Sequence, residues 1–260
     1  MLIPVRNNKV EGRGYKISNG VKSFLNNLLS IFYPKICVVC HNSLENKAID
    51  NFLCINCWQG IKRNVPPLCI ICGREIRGTA INKSICLSCQ TQRFSFDRVL
   101  SPCSYEGVMR ELIHKFKYQN KSYLSPFLVR LLIDFIYQQH IALDDFDLVM
   151  PIPLHKIRLR EREFNQAEFL AKQIAREFSL SLSSTNLWRK HHRQAQMELS
   201  EEKRWDNIKG CFALHDPEEV KGKNVLLIDD VITTGATCQE AASMLKAAGV
   251  GIVFVLTLAN

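Results

Sequence analysis

Residues 225–237 read VLLIDDVITTGAT, and this stretch decides the fold. Its four leading apolar residues predict a short buried strand, and two adjacent acids, Asp229 and Asp230, stand where that strand ends. A turn rich in threonine and glycine leads into TCQEAASMLKAAG, which has the composition of a helix ended by Gly249. The stretch therefore predicts a strand, a polar turn and a helix in direct succession.

Short apolar strands and amphipathic helices alternate along the chain before and after this stretch. The predicted strands are 99–105, 147–154 and 251–259, and the predicted helices are 106–118, 124–139 and 164–178. The basic segment HKIRLRER, residues 155–162, is predicted to be a loop, and residues 183–209 a mobile, functional loop with a short helix inside it. This order predicts an α/β fold with a largely parallel sheet flanked by helices.

The polar residues after the central strand indicate what this fold binds. Ligands of open α/β sheets bind beyond the carboxyl ends of the strands, where Asp229 and Asp230 stand. Free backbone N–H groups at the start of the next helix attract phosphate, and carboxylates accept hydrogen bonds from sugar hydroxyls. A ligand such as ribose 5-phosphate, with a phosphate at one end and a vicinal diol at the other, suits both halves. The carboxylates also repel a phosphate, and Mg²⁺ would ease that repulsion.

The front of the chain is rich in cysteine. Eight of the 11 cysteines form four C-x-x-C pairs, and each half of the region reads C-x2-C-x13-C-x2-C. Such spacing is typical of structural zinc sites, so we expect two Zn²⁺ ions with four thiolates each. The predicted ligands are Cys37, Cys40, Cys54, Cys57, Cys69, Cys72, Cys86 and Cys89. The uniform gap favours sequential pairing, with a cross-braced arrangement as the alternative. Cys103, Cys211 and Cys238 are expected to be small buried hydrophobes.

The formal net charge of +9 belongs to the first 100 residues, because the rest of the chain is balanced. Two tetrathiolate zinc sites would reduce it to about +5. A basic front suits either a polyanion such as nucleic acid or a solvated surface. The N-terminus has no secretory pattern, and no apolar run approaches the ~20 residues that a membrane span needs. We expect a cytoplasmic protein with no membrane span.

The stretch VLLIDDVITTGAT resembles the phosphoribosyl pyrophosphate (PRPP) signature of type I phosphoribosyltransferases. The resemblance implies that Asp229 and Asp230 contact the ribose hydroxyls and that the turn holds the 5-phosphate. The residues of that turn are Thr233, Thr234, Gly235, Ala236 and Thr237.

Together with the four C-x-x-C pairs, the segments YEGVMRELIHKFKY, MPIPLHKIRLREREFNQAEFLA and RQAQMELSEEKRWDNIKGCF resemble the ComF family. The resemblance implies a type I phosphoribosyltransferase-like domain at 99–260. We expect a small zinc-binding domain at 35–92 before it. The helical apolar spacing of residues 21–33 predicts an N-terminal extension with a short helix at 1–34. The resemblance to the ComF family also implies a role in natural transformation, with single-stranded DNA and other DNA-uptake proteins as partners.

Basic residues stand where related transferases place the pyrophosphate loop and the flexible loop. We expect them to contact pyrophosphate or nucleic acid, since arginine clamps phosphate oxygens with two donors. They are Lys156, Arg158, Arg160, Arg162, Arg193, Lys203 and Arg204. The chain departs from the family's R-G-F-N-Q at Glu163, which adds a negative charge where pyrophosphate would lie.

Three functions remain open. The protein is a DNA-uptake protein that binds PRPP or a related ligand, an active phosphoribosyltransferase, or a regulator that senses PRPP. Thr233 stands where some purine-salvage enzymes carry an acid, and no base-recognition segment follows the last predicted strand. Nucleobase salvage is therefore not expected.

Overall fold

The computed structural model describes residues 36–44, 48–49, 52–76, 84–118, 122–191, 205 and 208–260. The chain divides into two compact units, Met1–Cys54 and Ile55–Asn260. The predicted N-terminal extension and the basic residues Arg193, Lys203 and Arg204 lie outside the described residues.

The first unit contains the first cysteine knuckle. The Cys37 backbone N–H donates to the Asn42 carbonyl at 2.7 Å, which closes a tight turn around the knuckle. Strand β1 (Ala48–Ile49) then pairs antiparallel with β2 (Leu53–Cys54). Hydrogen-bonded turns of this kind hold a knuckle's two thiols on one side of the backbone.

The second unit is an α/β domain. Its helices are α1 (Ile55–Gln59), α2 (Leu87–Thr91), α3 (Gly107–Tyr118), α4 (Ser125–Gln138), α5 (Lys156–Arg162), α6 (Gln166–Glu177) and α7 (Ala236–Ala247). Its strands are β3 (Arg98–Leu100), β4 (Leu148–Pro151), β5 (Ser181–Leu182), β6 (Leu187–Arg189), β7 (Phe212–Leu214), β8 (Val225–Ile228) and β9 (Val253–Leu256). A 3₁₀ turn, Ser122–Leu124, precedes α4.

Five of these strands form one sheet in the order β3-β9-β8-β4-β5. Every neighbouring pair in it is parallel, which confirms the predicted sheet. All four residues of the central strand β8 are buried, as expected for a strand covered on both faces. The carboxyl end of β8 therefore opens at the middle of the sheet, where Asp229 follows. Strands β6 and β7 pair antiparallel in a separate two-stranded sheet.

Apolar side chains of the helices pack on the sheet. Helix α6 lies on β4, and α7 contacts β7 and β9. The core joins Met150, Leu227 and Val255 of the sheet to Ala241 and Leu245 of α7, and all five are fully buried. Because α7 packs along its length, the turn that precedes it is held at a fixed place beside the sheet.

Most predicted elements are confirmed, but residues 155–162 are not the predicted loop. Lys156–Arg162 forms α5, with His155 as its N-cap: the His155 Nδ1 accepts from the Ile157 N–H at 3.3 Å. Glu163 ends the helix in the left-handed region, at φ 65°. Lysine, arginine and leucine are good helix formers, so high charge was a misleading signal for a loop.

Within the predicted 183–209 loop, Leu187–Arg189 forms strand β6. The three cysteines outside the C-x-x-C pairs are buried as predicted, with exposed fractions of 0%, 0% and 1% for Cys103, Cys211 and Cys238. No helix in the described part of the chain is long and apolar enough to cross a bilayer.

Candidate functional site

The two aspartates at the end of β8 point in different directions. Asp230 is 5% exposed and turns inward, whereas Asp229 is only half-buried. The Asp230 backbone N–H donates to Asp229 Oδ1 at 2.8 Å, and the Cys238 thiol donates to Asp229 Oδ2 at 3.8 Å. These contacts fix the Asp229 carboxylate at the mouth of the strand.

Lys117, in the last turn of α3, pairs with the inner aspartate. Its Nζ lies 2.7 Å from Asp230 Oδ1, and the two side chains are only 12% and 7% exposed. Burial lowers the pKa of Lys117, but the charge and hydrogen bond of Asp230 outweigh burial and raise it. Lys117 is therefore protonated at neutral pH, and the protein itself neutralises Asp230.

The Asp229 carboxyl is held close to its neutral form. Burial and then the adjacent charge of Asp230 raise its pKa to about 7, although the Lys117 ammonium works in the opposite direction. Asp229 therefore exchanges a proton near neutral pH in the free protein. A ligand hydroxyl that donates to this carboxylate would favour its charged form.

The Thr-Gly turn and Asp229 surround one cleft, lined by Asp229 and residues 231–238. Gly235 precedes α7 with φ 81°, a conformation that glycine adopts without strain. The Thr234 hydroxyl accepts from the Ala236 N–H at 3.4 Å, and Thr233 is exposed. The structure thus brings Asp229 together with all five predicted phosphate-loop residues, while Asp230 stays behind the cleft wall.

The basic residues of α5 divide into two groups. Lys156 and Arg160 are exposed, whereas Arg158 and Arg162 are half-buried. Arg162 donates to the Tyr118 hydroxyl at 2.9 Å, and its guanidinium carbon lies 4.9 Å from the centre of that ring. Its Nε atom is buried and has no partner among the described residues. Arg162 thus joins α5 to the end of α3, next to Lys117.

The pKa of Arg189 in β6 is lowered overall, and charges of the site contribute to this shift. Burial lowers its pKa most, Cys211 raises it, Arg158 lowers it further, and Asp229 raises it. Its Nε is also buried without a partner among the described residues. Arg162 and Arg189 thus each have one buried Nε donor without a partner among the described residues.

The cysteines gather into two groups of four, in the sequential pairing that the spacing favours. The ligand sulfurs within each group all lie within 4.8 Å of one another. The first group is Cys37, Cys40, Cys54 and Cys57, and the second is Cys69, Cys72, Cys86 and Cys89. Four converging thiols fit a structural Zn²⁺ ion and leave no position for a substrate.

The second cysteine group is built onto the outer strand β3. The Val99 N–H of β3 donates to the Ile71 carbonyl at 2.6 Å, and Asn260 Nδ2 donates to the Cys72 carbonyl at 2.8 Å. Gly73 has φ 70°, and a Cβ there would lie 2.6 Å from the Val99 carbonyl oxygen. This close approach requires glycine and fixes the knuckle against the sheet.

From that position the same cysteine region reaches the predicted phosphate loop. The Arg74 guanidinium donates to the Thr233 carbonyl. The Gln239 side chain in α7 exchanges two hydrogen bonds with Ser95, at 2.6 and 2.8 Å. A second cleft of about 380 Å³ lies between Arg74 and Phe94 on one side and the Thr233–Gly235 turn on the other. Sequence reasoning missed Arg74, whose one signal is its place just after the Cys72-Gly73 turn.

Two family models match the chain: a phosphoribosyl transferase domain over residues 165–260 and a double zinc ribbon domain over residues 28–94. Competence protein F of Haemophilus influenzae is 31% identical over 179 residues, covering 65% of this chain and 75% of that protein. DNA utilization protein YhgH of Salmonella typhimurium is 30% identical over 165 residues, covering 63% and 72%. Competence protein ComFC of Bacillus subtilis is 29% identical over 147 residues, covering 56% and 57%.

The chain belongs to the ComF family. It combines a phosphoribosyltransferase-like domain with a double zinc ribbon, as expected from the resemblance.

The chain departs from the family's R-G-F-N-Q at Glu163, and the structure shows the local role of this segment. Asn165 caps α6, since its Oδ1 accepts from the Ala167 N–H at 3.1 Å, and its Nδ2 donates to the Ile152 carbonyl at 3.1 Å. Glu163 is exposed and left-handed, at φ 65°, a conformation that the family's glycine adopts freely. The backbone at this position therefore suits glycine, and Glu163 carries a strain of about 1–2 kcal/mol here.

Proposed function

We propose that this ComF protein binds PRPP or a related phosphoribosyl ligand at the carboxyl end of β8 and acts in the uptake of external DNA. One observation carries the ligand class: Asp229 and the Thr233–Thr237 loop line the same cleft. A carboxylate beside a hydroxyl-rich helix start suits a diol and a phosphate held by one sugar.

The residues around the cleft suggest a role for each part of such a ligand. The phosphate would accept from the first N–H groups of α7 and from Thr234 and Thr237. The ribose diol would donate to Asp229. The basic side chains of α5 that reach the surface, Lys156, Arg158 and Arg160, would meet a pyrophosphate or the next phosphate of a nucleic acid strand. Mg²⁺ would arrive on the pyrophosphate of PRPP.

The relatives' names support the biological half of the proposal, since they are called competence and DNA utilization proteins. Single-stranded DNA is the partner we expect, together with other proteins of DNA uptake. The cytoplasm is the compartment we expect, because its reduced thiols can hold zinc.

A regulatory role is the second candidate, and the Arg74 contact favours it. A ligand bound in the phosphate loop would displace the Thr233 carbonyl. Because Arg74 donates to this carbonyl, the displacement would be transmitted to the second zinc ribbon. PRPP would then change the affinity for DNA without being consumed.

One set of titrations tests the proposal. Zinc-loaded protein is titrated with ribose 5-phosphate, with PRPP, and with a single-stranded oligonucleotide at two salt concentrations. We expect saturable binding of both sugar phosphates, and Asp229→Asn should weaken it about tenfold because a charged acceptor is lost. Asp134→Asn, which changes an exposed carboxylate of α4, serves as the matched control.

The remaining outcomes separate the functions. DNA affinity should fall steeply with salt if phosphate contacts dominate. Release of pyrophosphate with an added acceptor would identify a transferase, and a PRPP-dependent change in oligonucleotide affinity without release would identify a sensor. Failure of both sugar phosphates to bind refutes the proposal.

A further inference from the structure

The acidic pair at the end of β8 already has a cationic partner, the Lys117 ammonium. The Lys117 Nζ contacts Asp230 Oδ1 at 2.7 Å, in a position where both side chains are about nine-tenths shielded from water. An ion pair buried in this way is a fixed part of the site, because separating the two charges would leave each of them unpaired.

This pair conflicts with a Mg²⁺ site on the two carboxylates. Mg²⁺ binds oxygens at about 2.0–2.1 Å in an octahedron and keeps several of its waters. Asp230 is only 5% exposed, and a divalent ion on its carboxylate would meet the Lys117 ammonium, which already lies 2.7 Å from Oδ1. The acidic pair therefore does not fit Mg²⁺, although PRPP chemistry and the two adjacent acids suggest it.

The same pair changes the charge that a phosphate meets. Two carboxylates alone would repel a phosphate in the neighbouring loop. With Lys117 on the inner carboxylate and Arg162 close by, the cluster has no net negative charge, so the repulsion is removed within the protein.

We propose that Lys117 takes the place of a divalent cation at the acidic pair, so that a sugar phosphate binds here without Mg²⁺ on the carboxylates. This inference rests on the proposed function and deepens it. Lys117 holds Asp230 in place and balances its charge, which leaves Asp229 to receive the ligand's hydroxyls.

Ribose 5-phosphate is the probe for the test, because it carries the diol and the phosphate but not the Mg²⁺-chelating pyrophosphate. Zinc-loaded protein is titrated calorimetrically in buffer freed of Mg²⁺ by a resin beforehand, since EDTA would remove zinc, and again with excess MgCl₂. We expect the wild-type affinity to agree within about twofold between the two buffers.

Variants of Lys117 sharpen the result. Lys117→Met should lower the Mg²⁺-free affinity about tenfold, with partial recovery on adding Mg²⁺, because an uncompensated carboxylate now repels the phosphate. Lys117→Arg keeps the positive charge and should retain more of the Mg²⁺-free affinity than Lys117→Met. Lys172→Met, which removes a cation from an exposed pair on α6, should behave as the wild type. If Lys117→Met does not fold, the double variant Lys117→Met/Asp230→Asn replaces it, and its affinity should not depend on Mg²⁺.

The outcomes distinguish this inference from the proposed function. A tenfold gain of wild-type affinity on adding Mg²⁺, an unchanged Lys117→Met, or a Mg²⁺-dependent double variant overturns the inference alone. If ribose 5-phosphate binds in neither buffer, the proposed function fails, and titration with Mg²⁺ alone decides the inference. In that case, a measurable heat of Mg²⁺ binding to the wild type would overturn the inference. Binding of Mg²⁺ to Lys117→Met but not to the wild type would support it.

Discussion

Breaking the Lys117–Asp230 pair from one side should destabilise the protein far more than removing both partners. Lys117→Met leaves a buried carboxylate without a counter-ion, and Asp230→Asn leaves a buried ammonium in the same position. The double variant leaves no unpaired buried charge at these two positions. A double-mutant cycle on these two positions therefore measures the energy of the pair directly.

The structure sets the magnitudes. At 2.7 Å and an effective dielectric constant of about 20, two unit charges attract by about 6 kcal/mol. Burying each ion costs several kcal/mol, so attraction and desolvation nearly cancel in the intact pair. Each single variant retains the desolvation cost without the attraction and should lose about 3–5 kcal/mol of unfolding free energy. The double variant should lose less than either single variant.

Urea unfolding of the four zinc-loaded proteins at neutral pH, followed by circular dichroism, provides the four free energies. Lys172→Met, which breaks the exposed pair with Glu168, should cost at most about 1 kcal/mol and checks that burial is the cause. The reasoning is refuted if the double variant loses the sum of the two single losses, since the charges would then be independent.

Three further predictions concern pH, zinc and the sheet contact. Asp229 has a folded pKa of about 7 against the usual 3.8, so the wild type should lose stability from about pH 4 to pH 7 as the unfolded state releases this proton first. Asp229→Asn should therefore be nearly neutral at pH 4 and stabilising by about 1–2 kcal/mol at pH 8, after allowance for partial exposure, and an equal effect at both pH values in urea melts would contradict this. Cys89→Ser should release about half of the bound zinc in a colorimetric assay, because a structural ion needs all four thiolates, and full retention would contradict the assigned ligand set. Gly73→Ala should lower the unfolding free energy by about 2–3 kcal/mol more than Gly222→Ala, which has the same left-handed φ of about 70° but open space around it, and equal losses would show that the 2.6 Å contact is unimportant.

Local signals made much of this fold readable from the sequence. The apolar run 225–228, the glycine at 235 and the helix after it are all set by neighbours in the chain, and the structure has each of them. The cysteine spacing likewise predicted both ligand groups, since two residues between thiols are enough to form a knuckle.

Contacts between distant segments were not readable in the same way. Asp229 and Asp230 are adjacent and chemically identical, yet only one lines the cleft, because the other meets a helix that comes much earlier in the chain. A signal for that contact existed: Lys117 follows Ile113 by one helical turn, on the face that carries Met109 and Phe116, all three of which are fully buried. A lysine on an apolar face needs a buried acid, and the pair after β8 supplies it.

The prediction for residues 155–162 was wrong for a different reason. High charge density predicts a loop here, but the His155 cap and the left-handed turn at Glu163 define a helix, whose Arg162 contacts the end of α3. Charge density alone does not distinguish a solvated helix from a loop.

The hydrogen bond from Val99 to the Ile71 carbonyl gives the second zinc ribbon an additional task. β3 lies at the margin of the sheet, and a bare margin is a template onto which another chain's strand can add. The knuckle of Cys69 and Cys72 occupies this place, so we expect zinc that holds the knuckle together to protect the protein from self-association as well as from unfolding. Protein made in zinc-poor medium should therefore form β-rich aggregates, and metal supply during expression should govern the yield of unaggregated protein.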